Sequence, residues 1–451
     1  MKKNDISIKT KRIICAALIS AFMLTTYGCG ASYNTIAEDD HGTAASGGIA
    51  KSIGADGAAF AEGDHGGEEA FDGSAEYSTT MAMDMTAGAD TRVGDAPGDA
   101  VRSTEDESSL KQLPEAGQLT AGQWNDNENW GFFSNLVNSG TISFPAYGID
   151  PTNRLAVTVN GNDGKPIVNA KAHLMAKDGS VIWSGMTNKN GIVYLFNISA
   201  SESASVEIEA DGKKQSYEAP SAKSDEQNGS KKAVGSEMTV VFDGKGSLYK
   251  DMDVMFIVDT TGSMADELLF LQSEFTAITE KVGTDHTRYS VNFYRDEYDE
   301  YVTKCNPFST DIKTIQKNLN NEIADGGGDY PEAVSDALTE TMFASDWSEE
   351  SVKLAFMIFD APPHSGKEQE LLAAAQEAAK KGIHIIPVIS SDSDRDTELF
   401  GRAIAITTDG SYVFLTDDSG IGNSHEEPVI GSYEVRPLYD IIVDIIDGYR
   451  Q

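Results

Sequence analysis

The pentapeptide Asp259-Thr260-Thr261-Gly262-Ser263 sets one carboxylate and two hydroxyls at alternate positions. Those are donors for a hard divalent cation, because Mg²⁺ takes about six oxygens in near-octahedral geometry and keeps several of them as water. The Thr261 and Ser263 hydroxyls can ligate directly, while Asp259 holds ligated waters and orients the hydroxyls. With few direct charges, such an ion stays electrophilic and accepts a carboxylate from another molecule. The same residue types suit a helix start, where their side chains accept hydrogen bonds from unsatisfied backbone N–H groups, so the pentapeptide alone leaves both readings open. Hydrolytic chemistry lacks its residues. His364 and His384 stand in no HExxH or paired-His spacing, and Cys305, read as a small strand residue, has no His or Asn arrangement to activate a thiolate. The expectation is a binding protein without catalytic residues.

Positioning the pentapeptide takes a strand before it and a helix after it. Met252 to Val258 is a continuous apolar run, the pattern of a parallel strand buried on both faces, and Ala265 to Val282 has helical periodicity. Strand-like runs recur at Tyr289 to Tyr294, Val352 to Phe359, Ile383 to Ile389 and Tyr412 to Leu415. Helix-like runs lie between or after them at Ile312 to Ile323, Glu332 to Phe343, Glu368 to Lys381 and Pro437 to Tyr449. This rhythm predicts a doubly wound, Rossmann-like α/β sheet with its site at the C-terminal ends of the strands. Asp259 falls there, as does Asp360 in Phe359-Asp360-Ala361-Pro362-Pro363.

With these positions, residues 248–451 resemble a von Willebrand factor type A domain carrying a metal-ion-dependent adhesion site, whose first loop reads D-x-[ST]-x-S. The resemblance implies that Asp360 is the distal acidic ligand, acting through water. Gly326-Gly327-Gly328-Asp329-Tyr330-Pro331-Glu332-Ala333 departs from the integrin α and von Willebrand pattern, which has Thr here. It looks like the Asp-x-Pro-Glu loop of integrin β subunits, which implies Glu332 on the central metal and Asp329 on an adjacent one. An added negative ligand favours Ca²⁺ or Mn²⁺ more than a Thr-containing Mg²⁺ site would. Pro at the first helical position and Glu in the first turn are also ordinary helix-start choices. Asp266 and Glu267 match the paired acids beside the integrin β site, or equally the favourable charges of a helix's first turn. Asp392, Asp394 and Asp396 lack the Gly and closing Glu of an EF-hand and read as a solvated loop. The implied partner is a protein or peptide offering a carboxylate. The alternative is a cell-envelope scaffold whose metal only stabilises the fold.

The chain has 451 residues, enough for two folded domains plus connecting material. Its formal charge of −37, without a clustered Lys and Arg stripe, argues against a nucleic-acid partner. Lys2, Lys3, Lys9, Lys11 and Arg12 precede the apolar stretch Ile13 to Leu24, too short to span a bilayer. Gly28-Cys29 then looks like the lipobox of bacterial lipoproteins, with Thr26 where that motif usually has Leu. Residues 1–28 are therefore expected to be a lipoprotein signal peptide, and Cys29 to be lipidated on the extracytoplasmic face of a bacterial membrane, with ordinary secretion as the alternative. Cys29 and Cys305 supply no disulfide framework.

Residues 29–113 are read as a disordered acidic stalk. From Ala31 to Leu113 there are 17 acidic and 4 basic residues with almost no apolar periodicity, so self-repulsion extends a stretch that cannot bury a core. Residues 114–150 read as an aromatic helical connector around Trp124, Trp130, Phe132, Phe133 and Leu136. Asn125 to Asn129 resembles a calcium loop, but Leu136 stands where the closing Glu belongs, so a polar helix start is favoured. In residues 151–247 the period changes to two. The runs Leu155 to Val159, Ala170 to Ala176, Val181 to Ser184, Ile192 to Phe196, Val206 to Ala210 and Met238 to Phe242 are separated by turn pairs Asp163-Gly164, Asp178-Gly179 and Asn190-Gly191, which predicts a β-sandwich. Gly164-Lys165-Pro166-Ile167-Val168-Asn169-Ala170, with Thr187 and Gly191, resembles the Ig-like, carboxypeptidase-regulatory-like modules of surface proteins, which implies a spacer. Ser221 to Ser236 reads as a loop.

Overall fold

The structure, a computed structural model, describes residues 119–198, 202–220, 234–328, 330–419 and 424–451. The signal segment with Cys29, the acidic stretch to residue 113, residues 114–118, most of the polar loop 221–236 and Asp329 lie outside the described residues. No helix among the described residues is long and apolar enough to cross a membrane.

The connector supplies a strand as well as a helix: β1 (Thr120–Trp124) precedes α1 (Trp130–Ser139). Seven strands follow: β2 (Asn153–Gly161), β3 (Lys171–Ala176), β4 (Val181–Met186), β5 (Ile192–Phe196), β6 (Ser203–Ala210), β7 (Lys213–Glu218) and β8 (Val234–Phe242). They form one sheet in the order β5-β2-β8 and another in the order β4-β3-β6-β7. Alternate residues point inward from both, so Val157, Val159, Leu195 and Phe242 of the first share one core with Ala172, Leu174, Trp183 and Val206 of the second. Gly164, Gly179 and Gly191 take positive φ at the turns, a conformation open to glycine without steric cost. Two elements differ from the sequence expectation. Strand β7, Lys-Lys-Gln-Ser-Tyr-Glu, is a sheet edge with no aliphatic residue to betray a period of two. The segment read as a loop to residue 236 gives way to β8 at Val234, which pairs in parallel with β2.

Beyond the two sheets the chain is mixed α/β around one eight-stranded, mostly parallel sheet. Its elements are β9 (Asp251–Asp259), α2 (Ala265–Val282), β10 (Thr287–Tyr294), β11 (Thr303–Lys304), α3 (Ile312–Asn320), α4 (Val334–Thr339), β12 (Ser351–Phe359), α5 (Glu368–Lys381), β13 (Ile383–Ile389), α6 (Arg395–Thr407), β14 (Tyr412–Thr416), β15 (Arg436–Pro437) and α7 (Leu438–Tyr449). The strand order is β11-β10-β9-β12-β13-β14-β1-β15. The five strands from β10 to β14 in that order run parallel. Both faces are covered, which explains the unbroken apolar runs. Val254, Phe256 and Val258 of β9 pack against α2, α3 and α7, while Met255 and Ile257 pack against α4, α5 and α6.

The expected division into a helical connector and a separate domain starting at residue 248 is corrected by β1. Thr120 to Trp124 pairs antiparallel with β14, so a strand from before the two-sheet module completes the sheet formed after it. Asn125 to Asn129 is a junction rather than a calcium loop: Asp126 receives the Arg402 guanidinium, and Asn127 accepts from Arg154 and donates to the Ile406 carbonyl. Cys305 lies just beyond β11 and is exposed.

Candidate metal centre

Three loops at the C-terminal edge of the parallel strands meet around Asp259. The first leaves β9 at Asp259, passes through a 3₁₀ turn at Gly262–Met264 and enters α2. Asp259 Oδ1 accepts from the Thr261 backbone N–H at 2.9 Å and from Thr261 Oγ1 at 2.8 Å, and Thr261 Oγ1 lies 3.4 Å from Ser263 Oγ. Neither Thr261, at the cap of the 3₁₀ turn, nor Met264, at the cap of α2, makes a side-chain cap hydrogen bond. Asp259 thus serves a backbone N–H at the helix start, whereas the Thr261 side chain makes no cap bond. The Thr261 proton goes to Asp259, which leaves the oxygen's lone pairs for a cation.

The second loop carries Glu332. Gly262 N–H donates to the Gly326 carbonyl at 3.1 Å, tying this loop to the first. Gly327 sits at φ 71°, and a Cβ there would lie 2.8 Å from Glu332 Oε1 and 3.0 Å from Thr261 Cβ, so only glycine lets the two loops close. Glu332 itself precedes α4, whose cap is Ala333; its N–H donates to the Pro362 carbonyl at 3.0 Å and it bridges to Pro363 of the third loop. The first-turn reading of Pro331-Glu332 thus does not describe the backbone.

Asp360 leads the third loop. Asp259, Glu332 and Asp360 are each at most 4% exposed, and Asp259 Oδ2, Glu332 Oε2 and Asp360 Oδ1 have no hydrogen-bond partner. Burial raises all three carboxyls above their ordinary range. Asp259 is raised further by Asp360, and Glu332 is pushed up to about 9 by burial, then Asp259 and Asp296. For Asp360, the Ser263 hydroxyl partly offsets the effect of burial. Tyr294 stands in register with Asp259 on the neighbouring strand; burial and then the same three acids hold its hydroxyl well above its usual value. Buried acids with bare oxygens and no cationic neighbour are an expensive arrangement unless a cation compensates them. A divalent ion fits that need. Among the described residues no three His, Cys, Asp or Glu side chains are grouped to hold a metal between them.

Asp266 and Glu267 differ in burial: Asp266 is exposed, whereas Glu267 is buried and accepts from Ser391 N–H and Oγ at 3.2 and 2.8 Å. Glu267 Oε1 ties α2 to the loop after β13, while its Oε2 is buried without a hydrogen-bond partner. Asp329 lies outside the described residues. Within the supposed solvated loop, Asp394 caps α6 by accepting from Thr397 N–H. Two positioning groups escaped the sequence reading. Asp299 Oδ2 accepts from Gly327 N–H at 2.9 Å, and Asp296 Oδ1 meets His364 Nε2 at 2.6 Å, so the loop after β10 holds both the second and third loops. Tyr294 could have been found from its place at the end of the strand next to Asp259; Asp296 and Asp299 carry no local signal.

Glu332→Gln separates a charge role from a shape role. The folded chain keeps a proton on Glu332 up to about pH 9, whereas the unfolded carboxyl loses it near 4.5. In the metal-free protein this group's contribution to stability is therefore full below pH 4.5 and is lost as pH rises through about 9. At pH 8 without metal, Glu332→Gln is expected to stabilise by about 1–3 kcal/mol and to flatten this pH dependence, while weakening metal binding. Denaturant titrations at pH 5 and pH 8 with and without Mg²⁺ measure both; a variant less stable than the wild type at pH 8 without metal would reject the buried-charge account.

Compared with known proteins, residues 253–422 match the von Willebrand factor A domain. The alpha-protein kinase vwkA of Dictyostelium discoideum is 22% identical over 189 residues, covering 41% of this chain and 30% of that protein. An ariadne-like RING finger protein of Acanthamoeba polyphaga mimivirus is 24% identical over 184 residues, covering 36% of this chain and 18% of its own length. The chain thus spans less than a third of either relative. Among solved structures, the conserved hypothetical protein BatB from Bacteroides thetaiotaomicron is 15% identical with a TM-score of 0.33, covering 44% of this chain and 98% of that chain.

Proposed function

We propose that this von Willebrand factor A domain captures a carboxylate of a protein or peptide through a divalent ion, in a chain anchored to a bacterial membrane by lipid at Cys29. The observation that carries the reading is the set of bare, buried carboxylate oxygens from three loops around two hydroxyls that cap no helix. Thr261 and Ser263 would ligate directly, with Asp259, Asp360 and Glu332 holding waters or ligating. The ion, Mg²⁺ first and Ca²⁺ or Mn²⁺ as alternatives, supplies an electrophilic site for the partner's carboxylate. The reading assigns no catalytic residue and no nucleic-acid partner. The two-sheet module, a spacer of the Ig-like, carboxypeptidase-regulatory-like kind, and the acidic stretch before it would hold the domain away from the membrane.

The experiment is direct binding of short peptides with a central Asp, each paired with its Asn counterpart, in Mg²⁺ and in EDTA. Binding is expected only for the Asp peptides, only with metal, and not by Asp259→Ala. Metal that raises thermal stability while no Asp peptide binds in a metal-dependent way would replace adhesion by the envelope-scaffold reading. Localisation has its own readout: Cys29→Ser is expected to move the protein from membrane to medium.

A further inference from the structure

The loops around the candidate metal centre carry far more acid than base. Across the described residues of 259–266, 295–302, 321–333, 360–367 and 390–396 there are thirteen Asp and Glu against three Lys and Arg. Those three cations are already paired. Arg295 is buried and meets Glu322 at 3.5 Å, Lys367 meets Glu297 at 3.0 Å, and Arg395 meets Glu398 and, at 2.8 Å, Glu426. His364 is engaged by Asp296. Asp266, Glu300 and Asp325 stand exposed, the Glu300 side chain at 85%. Tyr298 is 94% exposed within Glu297-Tyr298-Asp299-Glu300, an aromatic face between carboxylates, which suits a guanidinium or ammonium group.

A carboxylate approaching the centre must cross this field. Charges within the Debye length of roughly 8–10 Å act on it before the ion does. The bare, buried oxygens of Asp259, Glu332 and Asp360 mark where the cation belongs; the rim determines what accompanies the carboxylate. We propose that the partner presents its metal-seeking Asp or Glu within a Lys- and Arg-rich segment, so that its flanking cations meet the acidic rim and Tyr298 while its single carboxylate reaches the ion. This rests on the metal-capture reading above and adds the partner's charge class.

The test uses four peptides on one scaffold: a central Asp flanked by Lys and Arg, by Ser, or by Glu, and the basic peptide with Asn at its centre. In Mg²⁺ at low salt the basic Asp peptide is expected to bind about tenfold or more tighter than the Ser-flanked one. The Glu-flanked peptide is expected to be weakest, and the spread to shrink as salt rises. The double variant Glu300→Lys with Asp325→Lys is expected to narrow or invert the order. Equal or tighter binding of the Ser-flanked peptide would overturn the proposal and leave metal capture standing. If the Asn peptide, or the basic Asp peptide in EDTA, bound as tightly as the basic Asp peptide in Mg²⁺, the metal-capture reading would fall and this proposal with it. Absence of binding by all four would overturn the proposal, and a retained metal-induced rise in stability would then assign the ion to the fold.

Discussion

Mg²⁺, Mn²⁺ or Ca²⁺ added to the metal-free protein is expected to raise its unfolding temperature, and Asp259→Ala is expected to abolish the rise. An ion that binds only the folded chain stabilises it by mass action, by about 2.7 kcal/mol at free metal a hundredfold above Kd. The effect draws on loops that meet only when the sheet is formed: Asp259 at the end of β9, Glu332 before α4 and Asp360 after β12. Without metal, Asp259→Ala removes two hydrogen bonds from Thr261, each worth about 1 kcal/mol, but also a buried carboxylate with a bare oxygen. These changes oppose each other, so the metal-free variant is expected to keep its fold. Asp259→Asn, which preserves one acceptor for Thr261, is the control for that balance. A metal-induced rise surviving in both variants would place the ion elsewhere in the molecule.

The sheet that frames this centre was legible because its strands are buried on both faces. Ile383–Ile389 and the helices Ala265–Val282 and Glu368–Lys381 begin and end where their apolar patterns do. Loop geometry was less accessible. That Glu332 lies before a helix rather than in its first turn follows from its bond to Pro362, thirty residues away, which no local pattern encodes. The bond of Glu267 escaped for a similar reason, since its partner Ser391 belongs to a loop far along the chain. Thr261, whose residue type suits both cap and ligand, turns its hydroxyl to Asp259 and not to a backbone N–H.

The largest misreading concerned residues 119–128, and its correction makes a second strong expectation. Thr-Ala-Gly-Gln-Trp has little apolar signal, and its partner β14 is nearly three hundred residues away, so β1 is invisible to any local period. Asp126, just after it, receives Arg402 of α6 through two bonds of 2.8 Å, and Arg402 also donates to Glu398 at 3.0 Å and to the Val429 carbonyl at 2.9 Å. Arg402 and Asp126 are almost wholly buried. Removing one member of a buried, hydrogen-bonded ion pair strands the other and typically costs about 3–5 kcal/mol. Arg402→Ala, which strands both Asp126 and Glu398, is expected at the upper end of that range in denaturant titrations; Asp126→Ala leaves Arg402 with Glu398 and is expected to cost less. Replacing Arg402 by Met together with Asp126 by Leu is expected to recover part of the loss, because neither buried charge of that pair then remains. If residues 119–128 were merely a tether, Asp126→Ala would cost under about 0.5 kcal/mol, as surface changes usually do, and the double variant would be no better than Arg402→Ala. A loss of several kcal/mol from Asp126→Ala would instead make this early segment part of the domain that carries the candidate metal centre.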